Sequence, residues 1–201
     1  MKRQRWVMIV VLLALAYGGR SCEKLSISGH TVGIVHFIRP VVTLTSGGVK
    51  TAIFEDTRFL PDTKIETSAG SRSSLALDTG VRMVVDGGTS IDVVSTDEIR
   101  LASGRIFIDA DEKEQVLVRT GEGKLTVIGS NVSIQSEGGQ VTAYTCSGEL
   151  TYAFPGGNGV ARAGESLGVK GKEVELAPEE LWTDWTGGMA EAGPQPMETP
   201  V

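Results

Sequence analysis

QVLVRTGEGKLTVIGSNVSIQS, residues 115–136, reads in twos. Val116 and Val118 alternate with Gln115, Leu117 and Arg119. Leu125 and Val127 alternate with Lys124 and Thr126, and Val132 and Ile134 alternate with Asn131, Ser133 and Gln135. A two-residue period puts like side chains on one face of an extended strand. Gly121-Glu122-Gly123 interrupts the pattern with turn residues. The same rhythm continues outward in both directions. Upstream lie GIVHFI (33–38), VVTLTS (41–46), KTAIFE (50–55), KIETS (64–68), SSLAL (73–77), VRMVV (81–85), SIDVV (90–94), EIRLA (98–102) and RIFIDA (105–110). Downstream lie QVTAYT (140–145) and ELTYAF (149–154). Turn signals separate them at Asp78-Thr79-Gly80, Asp86-Gly87-Gly88, Ser103-Gly104, Gly138-Gly139 and Ser147-Gly148, and the glycine-rich stretch 156–164 reads as a hairpin turn.

Short strands at such spacing, without helical patterns between them, predict an all-β fold. A parallel α/β sheet is excluded because it needs crossover helices. The rhythm fits a twisted, solenoid-like stack of short strands or a two-sheet sandwich, and pattern alone does not separate the two.

The ends differ from this body. Lys2, Arg3 and Arg5 precede the apolar run WVMIVVLLALAY (6–17), followed by Gly18 and Gly19. This reads as a signal peptide or membrane anchor over residues 1–22, a hydrophobic helix in either case. With its glycines the run reaches about 21 Å at 1.5 Å per residue, short of a roughly 30 Å hydrocarbon core. Cleavage after Gly18, retention as an inner-membrane anchor through residues 6–19, and lipidation at Cys22 all remain open. Each places the rest of the chain outside the cytoplasm, periplasmic if the source is a bacterial envelope. Residues 23–32 read as a stalk and 33–176 as the β domain. Pro178-Glu179-Glu180 starts a short helix expected over 177–186. Residues 187–201 read as a disordered Pro/Gly-rich tail.

Charge and composition narrow the function. The chain has 201 residues, 19 Lys and Arg against 25 Asp and Glu, and a net charge of −6. Removing residues 1–20 takes away four basic residues and no acid, leaving 15 of those 19 cations against all 25 anions. No basic face for nucleic acid is expected from that balance. Two Cys and two His, His30 and His36, give no metal-ligand spacing, and no cofactor or metal is expected. Asp109, Asp111 and Glu112 cluster at a strand end; a solvated turn outweighs a Ca²⁺ site there. No nucleophile elbow is present, so no catalytic residues are assigned. Trp182 and Trp185 stand three apart in the expected helix. They would cap an open end of the β domain or contact a partner.

Several ordered segments carry a resemblance. They are Leu60–Thr67, Gly70-Ser71-Arg72 with Leu75–Gly80, Ile99–Asp109, Val116–Thr120, Leu125–Ile134 and Ala163-Gly164-Glu165. From Gly33 to about Lys170 the chain resembles the FecR domain family. Pro61 stands where that family usually has Gly, and Ser130 where it usually has Thr. The resemblance implies a non-catalytic β domain of the cell envelope. Regulators of the family carry a cytoplasmic anti-sigma segment before a membrane helix. Here only Met1–Arg5 precede the apolar run, so the expected domain lacks that segment. The resulting expectation is a protein-interaction module with an envelope protein as partner. The alternatives are a structural spacer, or a signal-relay component acting with a separate cytoplasmic partner.

Overall fold

The computed structural model describes residues 30–39, 42–54, 56–121, 123–179 and 183–186. The leader, Cys22, most of the expected stalk, Trp182 and the tail lie outside the described residues. The strands in chain order are β1 (Gly33–Arg39), β2 (Val42–Ser46), β3 (Val49–Ala52), β4 (Arg58–Phe59) and β5 (Thr63–Thr67). Next come β6 (Arg72–Leu77), β7 (Arg82–Val85), β8 (Ser90–Val93), β9 (Glu98–Asp109) and β10 (Gln115–Thr120). The series ends with β11 (Gly123–Glu137), β12 (Gln140–Phe154), β13 (Gly157–Arg162), β14 (Glu165–Lys170) and β15 (Glu173–Pro178). All belong to one open, 15-stranded sheet. Every pairing is antiparallel except that of β10 with β9.

Three long strands fold this sheet over on itself. The first part of β9 pairs with β8 and β10, and its second part with β7 and β11. The first part of β11 pairs with β10, and its second part with β9. The first part of β12 pairs with β14, and its second part with β13. The strands therefore sort into two layers. Layer A runs β4-β1-β6-β7-β9-β11-β12-β14-β15, and layer B runs β3-β2-β5-β8-β9-β10-β11-β12-β13. Inward side chains of both meet in one core. Leu75, Met83, Ile106, Ile134 and Leu167 come from layer A, and Ile65, Ile91, Ile99, Val118, Leu125 and Leu150 from layer B.

The side-chain phase shows how each long strand turns the corner. In β9 the inward residues are Ile99 and Leu101, then Ile106 and Ile108. In β11 they are Leu125 and Val127, then Val132 and Ile134; in β12 they are Val141 and Ala143, then Leu150 and Tyr152. Each series changes from odd to even or the reverse. A single-residue slip normally sends a strand's apolar set to the wrong face. Here the slip falls at Gly104, Gly129 or Gly148, each with positive φ, and the bend it makes keeps the apolar set facing the core. Ser103-Gly104 and Ser147-Gly148, read from sequence as turns between separate strands, are corners within continuous ones. At Gly104 the corner leaves no room for a side chain: a Cβ would lie 2.5 Å from the Thr89 Cα. The Thr89 hydroxyl accepts from the Arg105 N–H at 3.0 Å, and the Thr89 N–H donates to Thr67 Oγ1 at 2.9 Å.

Two expectations for the C-terminal part are corrected. Gly157–Arg162 is a strand, β13, and not part of a hairpin turn. Its glycines fit because Tyr152 comes close: a Cβ on Gly159 would lie 2.6 Å from the Tyr152 hydroxyl. The short helix expected over 177–186 is absent from the described residues. Ala177 and Pro178 pair with Ser166 and Glu165 at the end of β15, the Glu179 N–H donates to the Gly164 carbonyl at 3.0 Å, and residues 183–186 are irregular. An edge strand tolerates Pro178, and β14 offers a backbone partner that an isolated helix start lacks. No helix among the described residues is long and apolar enough to cross a membrane.

Candidate functional site

The outer faces of the two layers differ in chemistry. That of layer B carries charged side chains in ion pairs. Glu66 lies 2.8 Å from both Lys50 and Lys64, and Arg119 Nε lies 2.6 Å from Glu98. The two ammonium groups hold the Glu66 carboxyl down at about 2.

Layer A presents three rows that cross its strands at right angles. The register aligns Arg105 with Gln135 and Gln135 with Thr142; Asp86 and Arg72 lie beyond Arg105. On the far side the row is Ala76, Arg82, Asp109 and Asn131. Between these polar rows runs Ser74–Val84–Phe107–Ser133–Tyr144–Ser166, each paired with the next. Val84, Phe107 and Cys146 form a second apolar cluster with Tyr144 and Trp185 packed against it, apart from the main core.

Trp185 sits where the middle row meets the Arg105 row. Its indole N–H donates to Ser133 Oγ at 2.9 Å. The Arg105 guanidinium lies 4.2 Å from the ring centroid and that of Arg72 lies 5.6 Å away. A cation over an indole face is the strongest form of this attraction. Asp86 holds both guanidiniums: Arg105 Nε donates to it at 3.0 Å, Arg105 Nη2 also pairs with it, and Arg72 Nη2 reaches it at 3.4 Å. Beside Trp185, Asp184 Oδ1 accepts from the Thr186 N–H at 2.7 Å. The Cys146 thiol is pushed up to about 12, first by burial and then by the Asp184 carboxylate. Burial also raises Tyr144, with Cys146 and Glu179 adding to it.

Of the two tryptophans singled out in the sequence, Trp185 is therefore an intramolecular contact on the outer face of the sheet. Asp109, Asp111 and Glu112 do not converge: Asp109 pairs with Arg82, and Asn131 reaches its Oδ1 at 3.0 Å with its amide turned to donate. Burial raises the Asp109 carboxyl and Arg82 lowers it less. No group of three or more His, Cys, Asp or Glu among the described residues could hold a metal ion. Sequence reasoning passed over Val84, Phe107, Ser133, Tyr144 and the arginines. A signal was present: Met83-Val84-Val85 and Ile106-Phe107-Ile108 each place three apolar residues in succession, the mark of a strand covered on both faces.

Two crystal structures of a candidate anti-sigma factor from Parabacteroides distasonis share the fold, with TM-scores of 0.51 and 0.52 at 18% identity. Each match covers 58% of this chain, which spans 59% of that protein's length. No curated protein matches the chain. Residues 63–151, from β5 into the second part of β12, match the model of the FecR protein family. That segment includes the strand rows beneath Trp185 as far as Tyr144, and over residues 63–151 the chain is similar to the FecR protein family.

Proposed function

We propose that this protein is a non-catalytic module of the cell envelope, exposed to the periplasm, that binds another envelope protein. The observation that carries the reading is the apolar middle row on the outer face of layer A. The main core does not need Val84, Phe107 or Tyr144, because Met83, Val85, Ile106 and Ile108 already fill it. Val84 and Phe107 are buried outside the main core, with Tyr144 and Trp185 partly buried against them, and an aromatic and aliphatic stripe bordered by charged rows has the composition of a recognition site. The strand edges at β3 and β13 offer backbone groups as well.

A second reading, a signal-relay component acting with a separate cytoplasmic partner, is favoured by the fold shared with the candidate anti-sigma factor. The test is the same for both at the first step. The full chain is expressed with an affinity tag in a bacterium, envelopes are cross-linked, and adducts are purified. The reading expects one protein recovered reproducibly, and lost when the half-buried Tyr144 is replaced by Ala in a chain that keeps the wild-type circular dichroism. Recovery of no specific protein overturns it. Protease accessibility in spheroplasts checks the compartment: digestion of the β domain from the periplasmic side is expected, and full protection contradicts it.

A further inference from the structure

We infer that β3 is a contact between two copies of this chain: the free edge of layer B pairs antiparallel with the same edge of a second molecule. The inference goes beyond the interaction reading above, which is carried by the outer face of layer A, and the two stand or fall separately.

The layer edges differ in how they are closed. In layer A, β4 is only two residues long and β15 carries Glu173, Glu175 and Pro178, all features that blunt an edge. In layer B, β13 leans on the other layer: a Cβ on Gly157 would lie 3.9 Å from Val174 of β15. Among the described residues β3 pairs only with β2, and it carries no proline and no acid. Its one charge, Lys50, is drawn back over β2 to Glu66 of β5, at 2.8 Å, so the ammonium does not guard the edge. The two most exposed large apolar side chains among the described residues also stand here. Val49, at 64%, begins the strand, and Phe54, at 75%, lies just past its end.

Backbone parity fixes the register. The Ile53 N–H donates to the Val42 carbonyl at 3.1 Å, so the alternate residues Thr51 and Val49 also turn their backbone groups to β2. The N–H and C=O of Lys50 and Ala52 therefore point to the open side. A two-fold axis at Thr51 joins Lys50 of each copy to Ala52 of the other, and each such pair exchanges both its backbone hydrogen bonds. The same axis sets Thr51 against Thr51 and Val49 against Ile53, both favourable cross-strand pairs. It lays Phe54 across Gly48 of the turn, where no side chain intervenes. The Phe54 N–H is held by Thr57 Oγ1 at 3.2 Å, which ends the pairing there. Each Lys50 stays on its own Glu66, so like charges do not meet at the axis. The strand is thus complementary to itself, and this selects a second copy over an unrelated segment. An interface of this size is weak and depends on concentration.

The test uses the full chain with Cys22→Ser in detergent micelles. The axis brings the two Thr51 Cα atoms to about 4.5 Å, as in a non-hydrogen-bonded pair, a separation that a disulfide spans. Oxidation of Thr51→Cys by copper phenanthroline should give a disulfide-linked dimer, at least about tenfold more than Val160→Cys on β13 gives. Ala52→Pro removes an outward N–H and leaves the β2–β3 ladder intact, so each Lys50–Ala52 pair loses one bond. In sedimentation equilibrium it should weaken dimerisation at least about tenfold, and Phe54→Ser, at an exposed position, about fivefold or more. Both variants should keep the wild-type circular dichroism. A dimer yield from Thr51→Cys no greater than from Val160→Cys overturns the proposal. So does association that neither Ala52→Pro nor Phe54→Ser changes, the result expected if the apolar run 6–17 drove it. Oxidised bacterial envelopes in which Thr51→Cys links to another protein and not to its own kind also overturn it.

Discussion

Replacing Gly104 by Ala tests the folded-over sheet at its first corner. Gly104 has φ +93°, a conformation that costs an L-residue about 1–2 kcal/mol. The new Cβ would lie 2.5 Å from the Thr89 Cα and 2.7 Å from its Cβ. Thr89 cannot retreat without giving up its bonds to Thr67 and Arg105, at 2.9 and 3.0 Å. Forcing atoms into a packed site costs about 1–3 kcal/mol more. Together the loss is about 2–5 kcal/mol, a large part of the stability of an ordinary domain. Gly171 is the control, because φ is +61° there and a Cβ would meet no atom within 4 Å. Gly171→Ala should cost about 1 kcal/mol, from the backbone alone. The assay is equilibrium urea unfolding of both variants and wild type, followed by circular dichroism and thermal melts. For a chain of this size Gly104→Ala should melt about 5–15 °C below wild type. Equal losses for the two variants, within about 0.5 kcal/mol, would refute the claim that a strand turns between layers at Gly104.

Three further outcomes follow from the electrostatics. Glu66 is depressed to about 2 from 4.5, so its pairing with Lys50 and Lys64 stabilises fully above pH 4.5 and is lost as pH falls from there toward 2. Glu66 is about one-third exposed, so Glu66→Gln should cost under about 1 kcal/mol at pH 7 and nothing near pH 2 in acid-unfolding curves. Cys146 is raised from 9.0 to about 12, so burying the neutral thiol stabilises fully below pH 9.0 and that contribution is lost as pH rises toward 12; Cys146→Ala should flatten this alkaline slope in unfolding measured across that window. Arg82→Ala leaves the Asp109 carboxylate 13% exposed and without its guanidinium. Because Arg82 is itself more than half exposed, the expected loss at pH 7 is about 1–2 kcal/mol. Burial already raises Asp109 above 3.8 and losing Arg82 raises it further, so the penalty is full only well above 3.8 and should shrink as pH falls toward that value; a penalty independent of pH contradicts the assignment.

Much of the fold was legible because strands announce themselves by alternation. Ile99 and Leu101, Val116 and Val118, and Leu125 and Val127 all face the core as the two-residue period requires. Alternation is local, however, and carries no record of which segments join. The runs on either side of Gly104 look like two strands because their phase changes. Only the stacking of β9 on both β8 and β7 shows that one strand carries on around the bend. Pro178 and its acids resemble a helix start in isolation, but the paired edge of β14 decides otherwise. The site was less legible. Trp185 stood out as a large aromatic near the end of the chain, yet its partners lie up to 113 positions upstream, at Arg72. The successive apolar triplets around Val84 and Phe107 hinted at a covered outer face, while nothing local says what covers it. Ser133 looks like any outward polar residue until the indole N–H is placed 2.9 Å from it.

The claim on which the functional account depends is that Trp185 seals the outer face of layer A. Cys146 reports on it, being 2% exposed and part of the cluster against which Trp185 packs. Maleimide labelling of Cys146 in the folded full chain, with Cys22 replaced by Ser, measures the seal directly. The account predicts that Trp185→Ala labels at least about tenfold faster than wild type under native conditions, with unchanged β-sheet circular dichroism. Equal labelling rates in the two chains would contradict it.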